Sequence, residues 1–164
     1  MKNFLVRVKK YLPIYIITIA IPLAVGLLSA FLTMDSMKIY GEINTPPLAP
    51  PSILFPIVWS ILYILMGVSS AMIYINRENN PGYTRRGLAY YAMGLIANFA
   101  WSIIFFNVRA FRIAFVWLLL LLYLIIRTIL CYFKVNRIAA YLQIPYALWV
   151  TFAGYLTLGV VLLN

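Results

Sequence analysis

Residues 113–133 read IAFVWLLLLLYLIIRTILCYF, and Arg127 is the only charged residue among them. A helix of about 20 apolar residues spans the ~30 Å hydrocarbon core of a bilayer. A membrane β-strand is about half as long and alternates in polarity. Because this stretch is long and does not alternate, it predicts a transmembrane helix.

Four further stretches have the same character: residues 11–33, 53–75, 87–108 and 138–163. The longest break between them, residues 34–52, is too short for a soluble domain. It holds four prolines between Thr45 and Pro51, which forbid a continuous helix and stiffen an extended loop. The sequence therefore predicts one all-α integral membrane domain over residues 1–164, built as a five-transmembrane-helix bundle with a proline-rich loop at 34–52.

The composition excludes several classes of function. The chain is 65% hydrophobic and only 10% charged, whereas soluble domains have about 25% charged residues. Its net charge of +10 comes from basic residues at the edges of the apolar stretches, which argues against nucleic-acid binding. There is no histidine, and Cys131 is the only cysteine. No catalytic or metal-binding constellation is visible, so we expect no metal, no resident cofactor and no conventional enzyme.

The basic residues predict the orientation in the membrane. Nine of them lie at the N-terminus or in the second and fourth loops, which share one side of the membrane, whereas three lie on the opposite side. By the positive-inside rule the N-terminus is cytoplasmic, and the 34–52 loop and the C-terminus are outside, as in a bacterial plasma membrane. Arg127 lies about 10 Å from the cytoplasmic end of its helix, so we expect it to snorkel to the interface. An ion pathway is disfavoured because the acidic residues are all in loops.

Aromatic and polar side chains recur at helical spacing along three of the stretches. These stripes favour either an interior cavity for a flat apolar ligand, such as a tetrapyrrole or a sterol, or plain helix packing. A carboxamide in hydrocarbon must be satisfied, so Asn98 should point inward to a partner or a ligand. The stripes comprise Phe55, Trp59, Tyr63 and Met66; Asn98, Trp101, Ser102 and Phe105; and Pro145, Trp149, Ala153 and Leu156.

Three ordered motifs resemble those of the TspO/translocator protein family, the tryptophan-rich sensory proteins of peripheral benzodiazepine receptor type. The first combines Tyr40 and Pro50-Pro51 with FPIVW at 55–59. The second is NFAWSIIFF at 98–106, and the third is PYALWVTFAGYL at 145–156. Departures from the family pattern include Ile39 and Leu48, where the family usually has tryptophan.

The resemblance implies a membrane protein, commonly a homodimer, that binds porphyrins such as protoporphyrin IX and, in some members, sterols or synthetic drugs. The ligand would occupy a cavity roofed by the first loop. The motifs and the helical stripes together give the expected ligand-binding residues: Tyr40, Pro50, Pro51, Trp59, Tyr63, Asn98, Trp101, Phe105, Trp149 and Ala153.

The resemblance leaves three roles open: ligand binding with a sensory or regulatory role, transport of tetrapyrroles or sterols, and photo-oxidative porphyrin degradation. Degradation would depend on Trp59 and Trp149. Transport is disfavoured because no acidic residue lies at membrane depth. For the dimer interface, the family points to the third helix, with Ala89, Gly94 and Ala97. Two small-xxx-small pairs, at 26–30 and 67–71, also permit close helix contact.

Overall fold

A computed structural model describes the backbone of residues 2–164 and the side chains of residues 9–36, 38 and 41–164. No β-strand occurs in this described part, and five of its segments are long and apolar enough to cross a membrane. The predicted all-α, five-span membrane fold is thus confirmed. Its helices are α1 (Lys2–Thr33), α2 (Leu54–Ile75), α3 (Pro81–Ser102), α4 (Phe111–Phe133), α5 (Arg137–Tyr141) and α6 (Ile144–Leu163).

The spans form a ring in the order α1, α2, the fifth span, α4, α3, in which α2 meets the fifth span mainly through α5. The tightest pairs are α3 with α4, α1 with α2, and α4 with α6, while the short α5 packs on α2 and α4. Consecutive helices α2 and α3 make little contact, because α1 lies between them in the ring. Within residues 9–33 only Pro22, Ser29 and Thr33 are buried, so α1 is the least enclosed span.

The third span begins earlier than the predicted residue 87, and the polar loop predicted at 76–86 is correspondingly shorter. Helix α3 starts at Pro81, and the turn is confined to residues 76–80. A proline in the first helical turn costs no hydrogen bond, because its missing N–H would have had no partner there. The polar residues 83–86 therefore extend the helix beyond the apolar stretch.

The fifth predicted span, 138–163, is a broken helix. Pro145 has no N–H to donate to the carbonyl of Tyr141, so α5 ends there and residues 142–143 form a turn. Gln143 at this turn is only 1% exposed, and its Nε2 donates to Ser69 Oγ at 3.1 Å. Ser69 Oγ in turn donates to the Ala139 carbonyl at 2.7 Å. These bonds fix the break against α2.

The small residues noted in the sequence mostly serve packing within the chain. A Cβ on Gly67 would overlap the backbone of Ile19, and a Cβ on Gly26 would overlap the ring of Tyr63, so both glycines allow α1 to approach α2. On α3, Ala97 is buried and its carbonyl accepts a hydrogen bond from Trp117 Nε1 of α4. Ala89, by contrast, is exposed on the outer face of α3.

Candidate functional site

A cavity of about 600 Å³ occupies the half of the bundle next to the 34–52 loop. Side chains of α1, α2, α6 and the end of the third span form its walls, and residues of the loop roof it. Five of the expected ligand-binding residues lie in its lining: Trp59, Tyr63, Trp101, Phe105 and Ala153. A space of this size suits a ligand of several fused or linked rings.

Aromatic rings form the walls of this cavity on two sides. On α2, Trp59 stacks on Tyr63 with ring centroids 5.4 Å apart and meets Tyr146 of α6 edge-on at 6.0 Å. On the third span, Trp101 packs against Phe105 at 5.3 Å. The cavity therefore offers flat apolar surfaces on which a ring system can stack.

A π-helical turn, Ile103–Asn107, shapes the second of these walls. The Val108 amide donates to the Ile103 carbonyl at 3.0 Å, a bond across five residues that inserts an extra residue into the turn. As a result Phe106 lines the cavity beside Phe105. Helical periodicity alone did not indicate Phe106, because a regular α-helix would rotate it away by about 100°.

Asn98 lies below the cavity and is not part of its lining. It is 2% exposed, and its carboxamide is satisfied by protein. Tyr63 Oη donates to Asn98 Oδ1 at 3.1 Å, and Asn98 Nδ2 donates to Tyr146 Oη at 3.0 Å. The sequence left open whether the carboxamide meets a protein group or a ligand. In the structure both of its hydrogen bonds go to protein, and they link α2, α3 and α6.

Trp149, which was expected to face the same interior space, does not line the cavity. Trp149 lies in a separate, shallow groove between α2 and α6, together with Leu62, Pro145 and Phe152. Its ring meets that of Phe55 at 6.0 Å, and Phe55 itself lines the cavity. The position that α6 presents to the interior at this level is taken by Tyr146, which is 2% exposed.

The roof contains Thr45 and Pro46 rather than the expected Pro50 and Pro51, which are not in the cavity lining. The side chain of Tyr40, also expected at the site, lies outside the described residues. Leu48, at the tip of the loop, has a positive φ of 69° and is 83% exposed. The loop residues that line the cavity are Met34, Lys38, Thr45, Pro46 and Ser52.

Three contacts fix this loop to the end of α6. Tyr155 Oη donates to the Pro47 carbonyl at 2.8 Å. The Asn44 amide donates to Asn164 Oδ1 at 3.1 Å, and Asn164 Nδ2 donates back to the Asn44 carbonyl at 3.0 Å. Gly159 provides the third contact, since a Cβ there would overlap the ring of Pro46. The roof is thus held to α6 through residues 44–47.

Lys38 is the only charged residue among the lining side chains, and it stands at the loop end of the cavity. The hydroxyls of Thr33, Ser60 and Thr157 each donate to a carbonyl of their own helix, at 2.7–2.9 Å. Apart from Lys38, the lining is therefore largely apolar in character. No group of three or more histidine, cysteine or acidic side chains able to hold a metal occurs in the described residues.

The fold and the cavity define a class: a polytopic membrane protein with an aromatic cavity inside a five-helix bundle, beneath a loop. Comparison with known proteins gives the family. Residues 18–163 match the model of the TspO/MBR family, so the chain belongs to that family.

Similar proteins come from bacteria and animals alike. A tryptophan-rich protein TspO of Chlorobaculum tepidum is 33% identical over 147 residues, 89% of this chain and 92% of that protein. Protein CrtK of Rhodobacter capsulatus is 34% identical, with 76% of this chain and 78% of that protein covered. A translocator protein of Bos taurus is 33% identical, with 74% of this chain and 72% of that protein covered. These matches cover between 74% and 89% of this chain.

Proposed function

We propose that this protein binds flat, largely apolar ligands of the tetrapyrrole class, such as protoporphyrin IX, within the bilayer. The observation that carries the proposal is the cavity of about 600 Å³ with rings on two walls and one cation at its loop end. Trp59 and Trp101 offer faces for stacking, and stacking of aromatic rings adds about 0.5–1.5 kcal/mol per pair beyond burial. Lys38 suits the carboxylates that such ligands carry.

Binding by stacking and shape does not require a metal in the ligand. The sequence has no histidine, the usual protein ligand of haem iron. Metal-free protoporphyrin and its metal complexes should therefore bind with similar affinity. A strong preference for the iron complex would contradict this mode of binding.

The test is a titration of protoporphyrin IX into the purified protein, followed by the shift of the porphyrin absorption band. Trp59→Phe and Trp101→Phe should each weaken binding about 2- to 10-fold, the range of one stacked pair. Trp149→Phe is the matched control, because Trp149 lies in the outer groove and its replacement should leave the affinity unchanged. The absence of saturable binding by the parent protein would overturn the proposal.

The role of Lys38 has its own control. Lys38→Gln should weaken porphyrin binding several-fold and reduce its dependence on salt, since a partly exposed ion pair is screened by added ions. Arg112→Gln removes the same charge from the start of α4, outside the cavity lining, and should change neither property. Equal effects of the two variants would show that porphyrin binding depends on the total positive charge of the protein and not on Lys38 in the cavity.

Light-dependent oxidation of the bound porphyrin by oxygen is a second candidate function, favoured by the position of Trp59 in the wall. It predicts a light-dependent loss of porphyrin absorbance that disappears in Trp59→Phe. Because Trp149 stands outside the cavity, Trp149→Phe should retain the activity. Equal rates of porphyrin loss in the parent and in Trp59→Phe would show that the reaction is photochemistry of the porphyrin alone and not an activity of the protein.

A sensory role fits a binding protein better than coupled transport, because no acidic side chain lines the cavity to carry a coupling ion. A flux assay in proteoliposomes tests this, and porphyrin movement driven by an ion gradient would contradict it. We further propose a bacterial plasma membrane location with the loop outside, where the cavity would receive its ligand. Labelling of a Leu48→Cys variant in intact cells tests this orientation.

A homodimer is also proposed, with the exposed outer face of α3 around Ala89 and Ile96 as its interface. Small side chains such as Ala89 let helix backbones approach closely in lipid. Ala89→Leu should lower the dimer fraction in light-scattering measurements. Leu28→Ala, on the exposed face of α1, serves as the comparison and should leave it unchanged.

A further inference from the structure

Arg127 is a charged residue inside a membrane span that does not face the bundle interior. It is exposed on α4, six residues before the helix ends at Phe133, or about 9 Å along the axis. Its Nη2 donates to Tyr90 Oη of α3 at 3.3 Å. Its guanidinium also lies over the rings of Tyr90 and Tyr123, at 5.1 and 5.9 Å from their centroids. Both tyrosines thus orient the charge at the outer seam between α3 and α4.

A second arginine, Arg86, lies on the same side of α3 as Tyr90. Arg86 lies one helical turn before Tyr90 on α3, as Tyr123 lies one turn before Arg127 on α4, so each pair shares one helix face. Gly87, next to Arg86 on α3, faces Cys131 of α4, one helical turn beyond Arg127. Gly87 lets the two helices approach closely here, because a Cβ on it would meet the ring of Tyr132. The seam therefore carries two arginines and two tyrosines.

Nothing in the described part of the protein neutralises these charges. Neither arginine forms an ion pair with a carboxylate of the described residues. Asp35 and Glu42 belong to the loop at the opposite end of the bundle, and Glu78 lies in the turn before α3. A guanidinium has five N–H donors, and Tyr90 accepts one of those of Arg127. The remaining donors are open to acceptors from outside the chain, and an anionic acceptor would also neutralise the charge.

We propose that the α3–α4 seam binds the headgroup phosphate of an anionic phospholipid, held by Arg127 and Arg86. The phosphate oxygens accept from both guanidinium groups, which suit their planar, bidentate geometry. The acyl chains run toward the bilayer centre along the exposed side chains of Ile126 and Leu119 on α4. These apolar neighbours select a lipid over a soluble anion, and the two positive charges select an anionic lipid over a neutral lipid or a sterol. This site is distinct from the cavity and independent of the proposed porphyrin binding.

The experiment measures how many phosphatidylglycerol and phosphatidylcholine molecules remain bound to the intact protein in native mass spectrometry. The parent should retain phosphatidylglycerol in preference to phosphatidylcholine. Arg127→Gln and Arg86→Gln should each lower phosphatidylglycerol affinity about tenfold or more, the effect of losing a charge-assisted hydrogen bond. Phosphatidylcholine retention should not change.

Two control variants remove the same charge elsewhere. Arg112→Gln does so at the other end of α4, and Arg85→Gln at the neighbouring position of α3, about 100° around the helix from Arg86. Both should retain phosphatidylglycerol as the parent does. An equal loss in Arg85→Gln and Arg86→Gln would mean that only the overall basic charge attracts lipid, and it would overturn the site.

Two further outcomes decide the proposal. If Arg127→Gln does not fold, the Arg86→Gln and Arg85→Gln pair alone decides, since both positions are exposed. Inorganic phosphate at high concentration should not displace phosphatidylglycerol. Complete displacement would identify a soluble-anion site and refute lipid binding, as would equal retention of the two lipids by the parent.

Discussion

Tyr63 and Asn98 form a hydrogen bond of 3.1 Å between the phenol hydroxyl and Oδ1, directly below the cavity. The same tyrosine ring lines the cavity and stacks on Trp59. Asn98 passes the link on to Tyr146 through its Nδ2. One buried carboxamide thus fixes the rings that form one wall, so a loss of this bond should affect both stability and ligand binding.

The first prediction concerns Asn98. Asn98→Leu leaves the buried hydroxyls of Tyr63 and Tyr146 without this partner, which should cost about 1–3 kcal/mol in the free energy of unfolding. Tyr63→Phe leaves only Asn98 Oδ1 without its partner and keeps the bond to Tyr146, so it should cost less, about 1 kcal/mol. Unfolding in mixed micelles measures both values. Equal stability of Asn98→Leu and the parent would contradict a structural role for the carboxamide.

The number of spans and part of the cavity lining could be predicted from the sequence. Uninterrupted apolar length is dictated by the bilayer, so all five spans are found in the structure. The stripe on α2 identified Trp59 and Tyr63, because residues one turn apart share a helix face. The contribution of α1, such as Leu23 and Leu27, was not predicted. A uniformly apolar helix gives no signal of which side faces inward.

The placement of Trp149 shows why periodicity alone is insufficient. The buried face of α6 runs through Tyr146, Val150 and Ala153, and Trp149 lies about 100° to the side of Val150. A stripe drawn through Trp149 and Ala153 fits helical spacing equally well, so the sequence pattern could not distinguish this stripe from the one through Tyr146. Tertiary packing determines which stripe faces inward. Asn98 Nδ2 donates a hydrogen bond to Tyr146 Oη, and this bond fixes the rotation of α6 about its axis.

The second prediction tests how the loop sits on α6. Gly159→Ala places a methyl group against the rigid ring of Pro46, so it should displace the roof and weaken porphyrin binding several-fold. Gly154→Ala on the same helix is the control, because no atom lies within 4 Å of the added methyl group. It should keep the parent affinity and gain up to about 1 kcal/mol of helix stability. Equal binding by both variants would show that the roof tolerates displacement.

The third prediction concerns the tether between the loop and α6. Tyr155→Phe removes the hydrogen bond to the Pro47 carbonyl and keeps the ring. A net loss of about 1 kcal/mol should open the roof more often and speed ligand release about fivefold. Stopped-flow displacement of bound porphyrin measures this rate. Tyr141→Phe, at the other end of the fifth span, should release ligand at the parent rate.

The fourth prediction concerns the contact between α1 and α2 at Gly67. A Cβ at this position would overlap the Ile19 Cα and lie 2.8 Å from the Thr18 carbonyl oxygen, and a helix backbone cannot move aside as a side-chain end can. Gly67→Ala should therefore push α1 away from α2 and cost about 1–3 kcal/mol, the usual penalty of overpacking. Gly94→Ala, where the added methyl group meets no atom within 4 Å, should be neutral or slightly stabilising. Because α1 is the least buried span and also walls the cavity, Gly67→Ala should lower thermal stability and porphyrin affinity together. A stable Gly67→Ala variant with parent affinity would refute the close approach of these two helices.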